Sequence, residues 1–261
     1  MKKYLIVFAV LLLSITSRSQ NLLKQNELDT CTIYSSMEEA LKNPERVYVL
    51  DLSANNLDKV PEGIGKLSNL QVLNLANNNI NELTDELFGL SNLQVLNLEE
   101  NRLKILPEKI ALLKHLKNLN LTRTKIPSIP ESFSELNELK ILNLAWDDLK
   151  DDSIKPVFKL LQLEDLNLMR NQIEILDTAI CNMKNLLYLN LNFNPLKELP
   201  DNFGNLVQLI ELDLGRNTEL KKLPESFKKL VNLEYLNLES VPLSYQEKQK
   251  LPDLDEDVIE F

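Results

Sequence analysis

The sequence predicts an α/β solenoid: a curved stack of short coils with a parallel β-sheet on its concave face, short helices or 3-10 turns on its convex face, and a helical cap at each end. Three observations point there. One phrase, LxxLxLxxNxL, is written nine times, starting at Val47, Leu70, Leu93, Leu116, Leu139, Leu163, Leu186, Leu209 and Leu233. The starts lie 23 residues apart, with one extra residue at two junctions, the regularity of a repeat array. Capping signals of the Ser-x-x-Glu type flank the array, at Ser36–Glu39 and Ser244–Glu247.

Each element follows from local chemistry. Within one unit, Leu96 and Leu98 form a step of period two, so both side chains point to one face of a short strand. Asn101 then turns the chain, and LPEKI at 106–110 returns it along the far side. A proline at the head of that return allows only a short helical turn or an extended stretch. A single coil cannot cover its own apolar stripe, so neighbours stack on it. Strands pack more closely than the bulkier returns, which curves the stack with the sheet inside. At the ends, SMEEALK at 36–42 is expected to form a helix that stops before Asn43 and Pro44, and a second helix is expected from Ser244 to about Lys250. The terminal DVIEF is read as a last strand on the sheet.

The phrase and its LPxxIxxLxNL second half, as in Leu106, Pro107, Ile110 and Leu113 or Leu199, Pro200, Phe203 and Leu206, resemble the leucine-rich-repeat family in its 23-residue type. The likeness covers residues 47–243. It implies a horseshoe fold and an internal ladder of asparagines that satisfies backbone groups at each bend. Here that series runs Asn55, Asn78, Asn101, Thr124, Asp147, Asn171, Asn194, Asn217 and Val241, weakest at the fourth and fifth units and lost at the last. The fifth unit also lacks the LP return, reading DDLKDDSIKPVFKLLQL from Asp147, so its outer segment is expected to be more helical and irregular. The division expected is a leader at 1–19, an N-terminal segment and capping helix at 20–46, nine repeats at 47–243 and a C-terminal cap at 244–261.

The leader reading rests on MKKYLIVFAVLLLSITSRSQ, where charge, an apolar run and small residues stand in the order of a secretory signal peptide. Its apolar run, Tyr4 to Leu13, falls short of the roughly 20 residues a membrane span needs. Cleavage near Ser19 is expected, with no transmembrane segment thereafter; an uncleaved anchor is the alternative. The formal charge is −10, and loss of Lys2, Lys3 and Arg18 would take it to −13. Such a chain is a poor general partner for nucleic acid or acidic lipid. The only two cysteines, Cys31 and Cys181, lie about six repeats apart, beyond disulfide reach at roughly 5 Å per repeat. Without cysteine-stapled caps, the chain reads as a secreted, periplasmic or cell-envelope protein of bacterial type, monomeric.

No arrangement promises catalysis, a metal or a cofactor. His115 is the sole histidine and five glycines form no phosphate-cradling loop. Asp147, Asp148, Asp151 and Asp152 lack the ligand order of a calcium loop and read as a solvated acidic turn. The fifth column of the phrase, Asp51, Asn74, Asn97, Asn120, Asn143, Asn167, Asn190, Asp213 and Asn237, suggests an amide strip, although amides stacked across strands can satisfy one another. The sequon at Asn120 falls in a strand, which argues against its glycosylation.

The eighth column is less uniform: Ala54, Asn77, Glu100, Arg123, Trp146, Arg170, Phe193, Arg216 and Ser240. Arginine and aromatic residues alternate over five units, and strands about 4.8 Å apart would set guanidinium groups against rings. Mutual stacking for local stability explains the alternation as well as partner binding does. With Met169, Tyr188 and Tyr235 in neighbouring columns and Asp165 and Glu211 adding acid, these residues form the candidate partner-binding surface. The function expected is an exported, non-enzymatic module that binds a protein or peptide on the concave face of repeats four to eight. The alternative is a carbohydrate-binding or structural envelope protein.

Overall fold

The structure, a computed structural model, describes residues 22–261, so the leader at 1–19 lies outside the described residues. Each repeat contributes one three-residue strand: β2 (Val49–Asp51), β3 (Val72–Asn74), β4 (Val95–Asn97), β5 (Asn118–Asn120), β6 (Ile141–Asn143), β7 (Asp165–Asn167), β8 (Tyr188–Asn190), β9 (Glu211–Asp213) and β10 (Tyr235–Asn237). All pair in parallel and in register, leucine beside leucine, as in Leu73↔Leu96↔Leu119. The horseshoe carries this sheet on its inner face.

Two further strands lengthen the sheet. At one edge β1 (Ile33–Tyr34) pairs with β2, a strand the repeat pattern did not foresee because it lies outside the phrase. At the other, β11 (Ile259–Glu260) pairs with β10, where DVIEF was expected. The helices are short. Beyond the expected α2 (Met37–Ala40) and α4 (Tyr245–Lys248) there are α1 (Gln25–Leu28) and α3 (Asp85–Phe88). Ser36 and Ser244 each accept the backbone N–H three residues on, at 3.2 and 3.3 Å. Ahead of α1, Leu23 is clamped at the sheet's entry edge: its N–H donates to Gln71 Oε1 and its C=O accepts from Gln94 Nε2, both at 2.9 Å.

The phrase leucines fill the interior; Leu96 and Leu142 are fully buried and Leu189 nearly so. Each such side chain contributes about 2 kcal/mol by leaving water. Most returns are 3-10 turns, and the fifth, Asp151–Lys159, is the longest, as its missing LP suggested. Cys31 and Cys181 are both free thiols, and burial pushes the Cys181 thiol up. Among the described residues no helix is long and apolar enough to cross a membrane.

The asparagine ladder is present and its wiring is explicit. The Asn101 amide donates to Leu75 O and Leu98 O at 2.9 Å, while its Oδ1 accepts Ile80 N–H at 3.0 Å. One side chain thus satisfies groups from two coils. A second row occurs on the opposite edge, where Asn69, Asn92, Asn185 and Asn232 each donate to the carbonyl 24 or 25 residues back. His115 and Glu138 interrupt that row and bond to each other at 3.1 Å.

Candidate functional site

The site begins with a backbone conformation. Every residue of the eighth column, from Ala54 to Ser240, has positive φ, between 52° and 66°, a region that non-glycine residues rarely adopt. The left-handed bend lets each of these N–H groups from Ala54 to Arg216 donate to the seventh-column carbonyl of the next coil, as Trp146 does to Met169 O and Arg170 to Asn192 O. The extra hydrogen bond offsets the conformational cost and repeats from coil to coil. Side chains of this column therefore stand one above another along the rim where the strands leave the sheet.

There the predicted alternation becomes a stack. The Arg123 guanidinium lies 4.4 Å from the Trp146 ring centre, and Arg170 lies 3.9 Å from the same ring on the next coil. Arg170 also lies 5.4 Å from Phe193, which Arg216 approaches at 4.8 Å. Trp146 is half-buried and the other four are exposed. The ends are closed by acids: Glu100 pairs with Arg123 at 2.5 Å and Glu239 with Arg216 at 2.9 Å. Arg170, in the middle, has no carboxylate within 4.0 Å among the described residues. Glu100 belongs to the same column, yet its role as a terminator was not singled out from the sequence.

Three candidates stand apart from this rib. Met169 is half-buried in the seventh column. Tyr188 and Tyr235 are exposed at the first positions of their strands in the third column, beside Asp165 and Glu211. Burial first, and the Glu211 carboxylate second, push Asp165 up to about 6. Burial and the hydrogen bond that Tyr235 donates to Glu260 push that phenol up to about 12.

The amide strip has a different use from the one its spacing suggested. Instead of stacking on one another across strands, the fifth-column side chains accept from their own backbone two residues on, from Ser53 N–H on Asp51 to Glu239 N–H on Asn237, at 2.8–3.1 Å. This turn releases the chain from the strand. Asn120 is occupied in the same way, also accepting the Thr122 hydroxyl at 2.7 Å. The acidic turn is likewise engaged: Asp151 accepts Glu174 N–H at 2.8 Å, and Asp152 pairs with Lys155 at 2.7 Å. Among the described residues no histidine, cysteine and carboxylate group is arranged to hold a metal ion.

Family models agree with this architecture. A leucine-rich repeat region model matches residues 27–154, and two leucine-rich repeat models match residues 199–243 and 185–206. No curated protein matches the chain. Among solved structures, the leucine-rich repeat domain of the Xanthomonas type III effector XopL is 25% identical, with a TM-score of 0.71 over 85% of this chain and 79% of its own. The ectodomain of the Arabidopsis thaliana receptor kinase GASSHO1/SCHENGEN3, in complex with CASPARIAN STRIP INTEGRITY FACTOR 2, is 26% identical with a TM-score of 0.62 over 79% of this chain. A TLR13–ssRNA13 complex is 27% identical with a TM-score of 0.64 over 82% of this chain. The chain spans only 28% and 31% of those last two proteins. Sheet, ladder and family models agree: the chain belongs to the leucine-rich-repeat family, whose fold commonly serves as a scaffold for interaction.

Proposed function

We propose that the protein is an exported, non-enzymatic binding module that holds an acidic segment of a partner protein or peptide against the rib of repeats four to eight. One observation carries the reading. On a chain of net charge −10, Arg170 is held between two aromatic rings with no carboxylate partner among the described residues, while the arginines on either side are already paired. A guanidinium so positioned has lost much of its rotamer freedom before a ligand arrives, which favours a two-bonded carboxylate contact. Trp146 and Phe193 add apolar area around it, the residue types that dominate interface energetics. The complex formed by the plant receptor supports a protein or peptide ligand. A sugar ligand is less well served, because the fifth-column side-chain oxygens already accept from the backbone.

Affinity capture from the native envelope, with wild type and a Trp146→Ala, Arg170→Ala double variant, tests the binding half. Captured partners are expected to bind the variant about 10- to 100-fold more weakly; equal binding of every partner overturns the reading. The export half is tested separately by sequencing the mature protein. A start at Gln20 in the envelope or medium supports it, and an intact Met1 in the cytoplasm overturns it.

A further inference from the structure

The rib is one of two parallel tracks on the concave face. The other is the third column, where parallel pairing places Asp165 beside Tyr188, Tyr188 beside Glu211, and Glu211 beside Tyr235. With strands about 4.8 Å apart, the Tyr188 ring stands between two carboxylates. Neither Asp165 nor Glu211 has a cation within 4.0 Å among the described residues, although Lys140 and Glu164 pair nearby at 2.8 Å. Asp165 is half-buried as well, so part of its hydration is gone without an ion pair in its place.

Both tracks cross the same coils. Asp165 and Arg170 belong to one repeat, and Glu211 and Arg216 to another. The members of each pair lie five positions apart, at most about 17 Å of chain. Between Asp165 and Arg170 lies the fifth-column Asn167, turned onto its own backbone and uncharged, whereas between Glu211 and Arg216 the same column holds Asp213, which accepts Gly215 N–H at 3.0 Å and the Asn192 amide at 2.8 Å. The surface is therefore a cation with aromatic walls, without an ion pair among the described residues, facing across the uncharged Asn167 an acidic track of Asp165 and Glu211 that Asp213 reinforces and Tyr188 walls. A uniformly acidic ligand would satisfy Arg170 only by bringing carboxylates towards Asp165 and Glu211, a like-charge contact that disfavours it.

We propose that the concave face takes an extended peptide segment of mixed charge laid along the strand direction. Its acidic side chain meets Arg170, and a lysine or arginine four or five residues away meets Asp165 and Glu211 beside Tyr188. An extended segment advances about 3.3 Å per residue, so four or five residues cover the at most about 17 Å between the tracks. The aromatic face of Tyr188 adds a cation–π contact to the two carboxylates. This rests on the reading of the rib as a binding surface and adds the charge pattern of what it binds.

Selection of a displayed random 12-residue peptide library on the full protein tests it. Wild type is expected to enrich peptides carrying an acid and a base four or five positions apart at least tenfold over peptides carrying two acids at that spacing. Arg170→Ala is expected to abolish the acidic preference. A double reversal, Asp165→Lys with Glu211→Lys, is expected to replace the base by a second acid among the selected peptides, a gain that misfolding cannot imitate. Acidic peptides selected through Arg170 without a spaced base would overturn the mixed-charge inference and leave the rib's role intact. No enrichment of acidic peptides, or enrichment indifferent to Arg170→Ala, overturns both. A basic preference that survives the double reversal overturns the second track alone.

Discussion

Replacing Asp147 with asparagine is expected to stabilise the protein by about 3 kcal/mol at pH 8 and by little at pH 4, because the native residue is an acid in a place built for an amide. Asp147 is the fifth rung of the ladder and is 4% exposed. Its Oδ1 acts as an asparagine oxygen would, accepting Lys125 N–H at 2.5 Å and the Thr124 hydroxyl at 3.2 Å. Its Oδ2 has no partner among the described residues. In the adjacent rung the equivalent atom is the Asn171 amide nitrogen, which donates to Leu144 O at 2.8 Å and Leu168 O at 3.0 Å. An ionised Oδ2 cannot donate to the matching carbonyls, whereas a protonated one can. Burial, the largest influence, with a smaller push from Asp148, outweighs the hydrogen bonds to Oδ1 and raises this carboxyl to about 7. The folded chain thus keeps a proton that the unfolded chain releases near its ordinary value of 3.8, and the native state binds more protons throughout that window. Stability is consequently present below pH 4 and falls as pH rises towards 7, by up to about 1.4 kcal/mol per unit from this group. Lys125, Lys150, Asp151, Asp152 and Glu174 line the same depression. Urea unfolding of both forms from pH 4 to 8 measures it. Parallel stability curves for wild type and Asp147→Asn would show that the rung is not protonated.

The break at Asp147 was legible in the sequence because a ladder position is fixed by the repeat spacing; its consequence was not, since it depends on which carbonyls the second oxygen faces. The same division runs through the molecule. Leucine spacing located every repeat strand because a parallel in-register sheet has one strand per period. Strand β1 and helix α1 escaped, for residues 25–34 carry no copy of the phrase; β1 is held by edge pairing, and Leu23 just ahead of α1 is held by Gln71 and Gln94, contacts far away in the chain. At the candidate site, the alternation of Arg123, Trp146, Arg170, Phe193 and Arg216 predicted ring–guanidinium distances because equal column numbers mean vertical neighbours. It did not separate the rib from Tyr188 and Tyr235. That division comes from the left-handed bend at the eighth column, which turns the rib to the rim while the third column stays at the first positions of the strands. Column composition alone did not show that the oxygens of the fifth column serve local turns.

Replacing Gly204 with alanine is expected to destabilise the protein by at least about 3 kcal/mol, while the same change at Gly65 costs less than about 1 kcal/mol. Both glycines sit in 3-10 returns, Phe203–Asn205 and Ile64–Lys66, and neither has a positive φ, so conformation does not distinguish them. Surroundings do. A methyl group at Gly204 would stand 1.8 Å from the backbone oxygen of Ser226 and 2.4 Å from its carbon. Backbone cannot rotate aside as a side chain can. The two returns are joined by Gly204 N–H donating to Ser226 Oγ at 3.0 Å, and by Phe203 stacked on Phe227 with centres 6.1 Å apart, both rings fully buried. Relief therefore requires the seventh and eighth coils to separate, breaking that stack and admitting water to the leucines behind it. At Gly65 the nearest atom is the Glu86 Cβ at 3.4 Å, a tight contact that a shift of a few tenths of an ångström accommodates. Because each coil contacts mainly its neighbours, the loss at Gly204 should appear as an early partial transition, with faster amide exchange in strands β8–β10 and native protection in β3–β5. Equal melting behaviour of the two alanine variants would show that the returns are not packed backbone to backbone at the seventh coil.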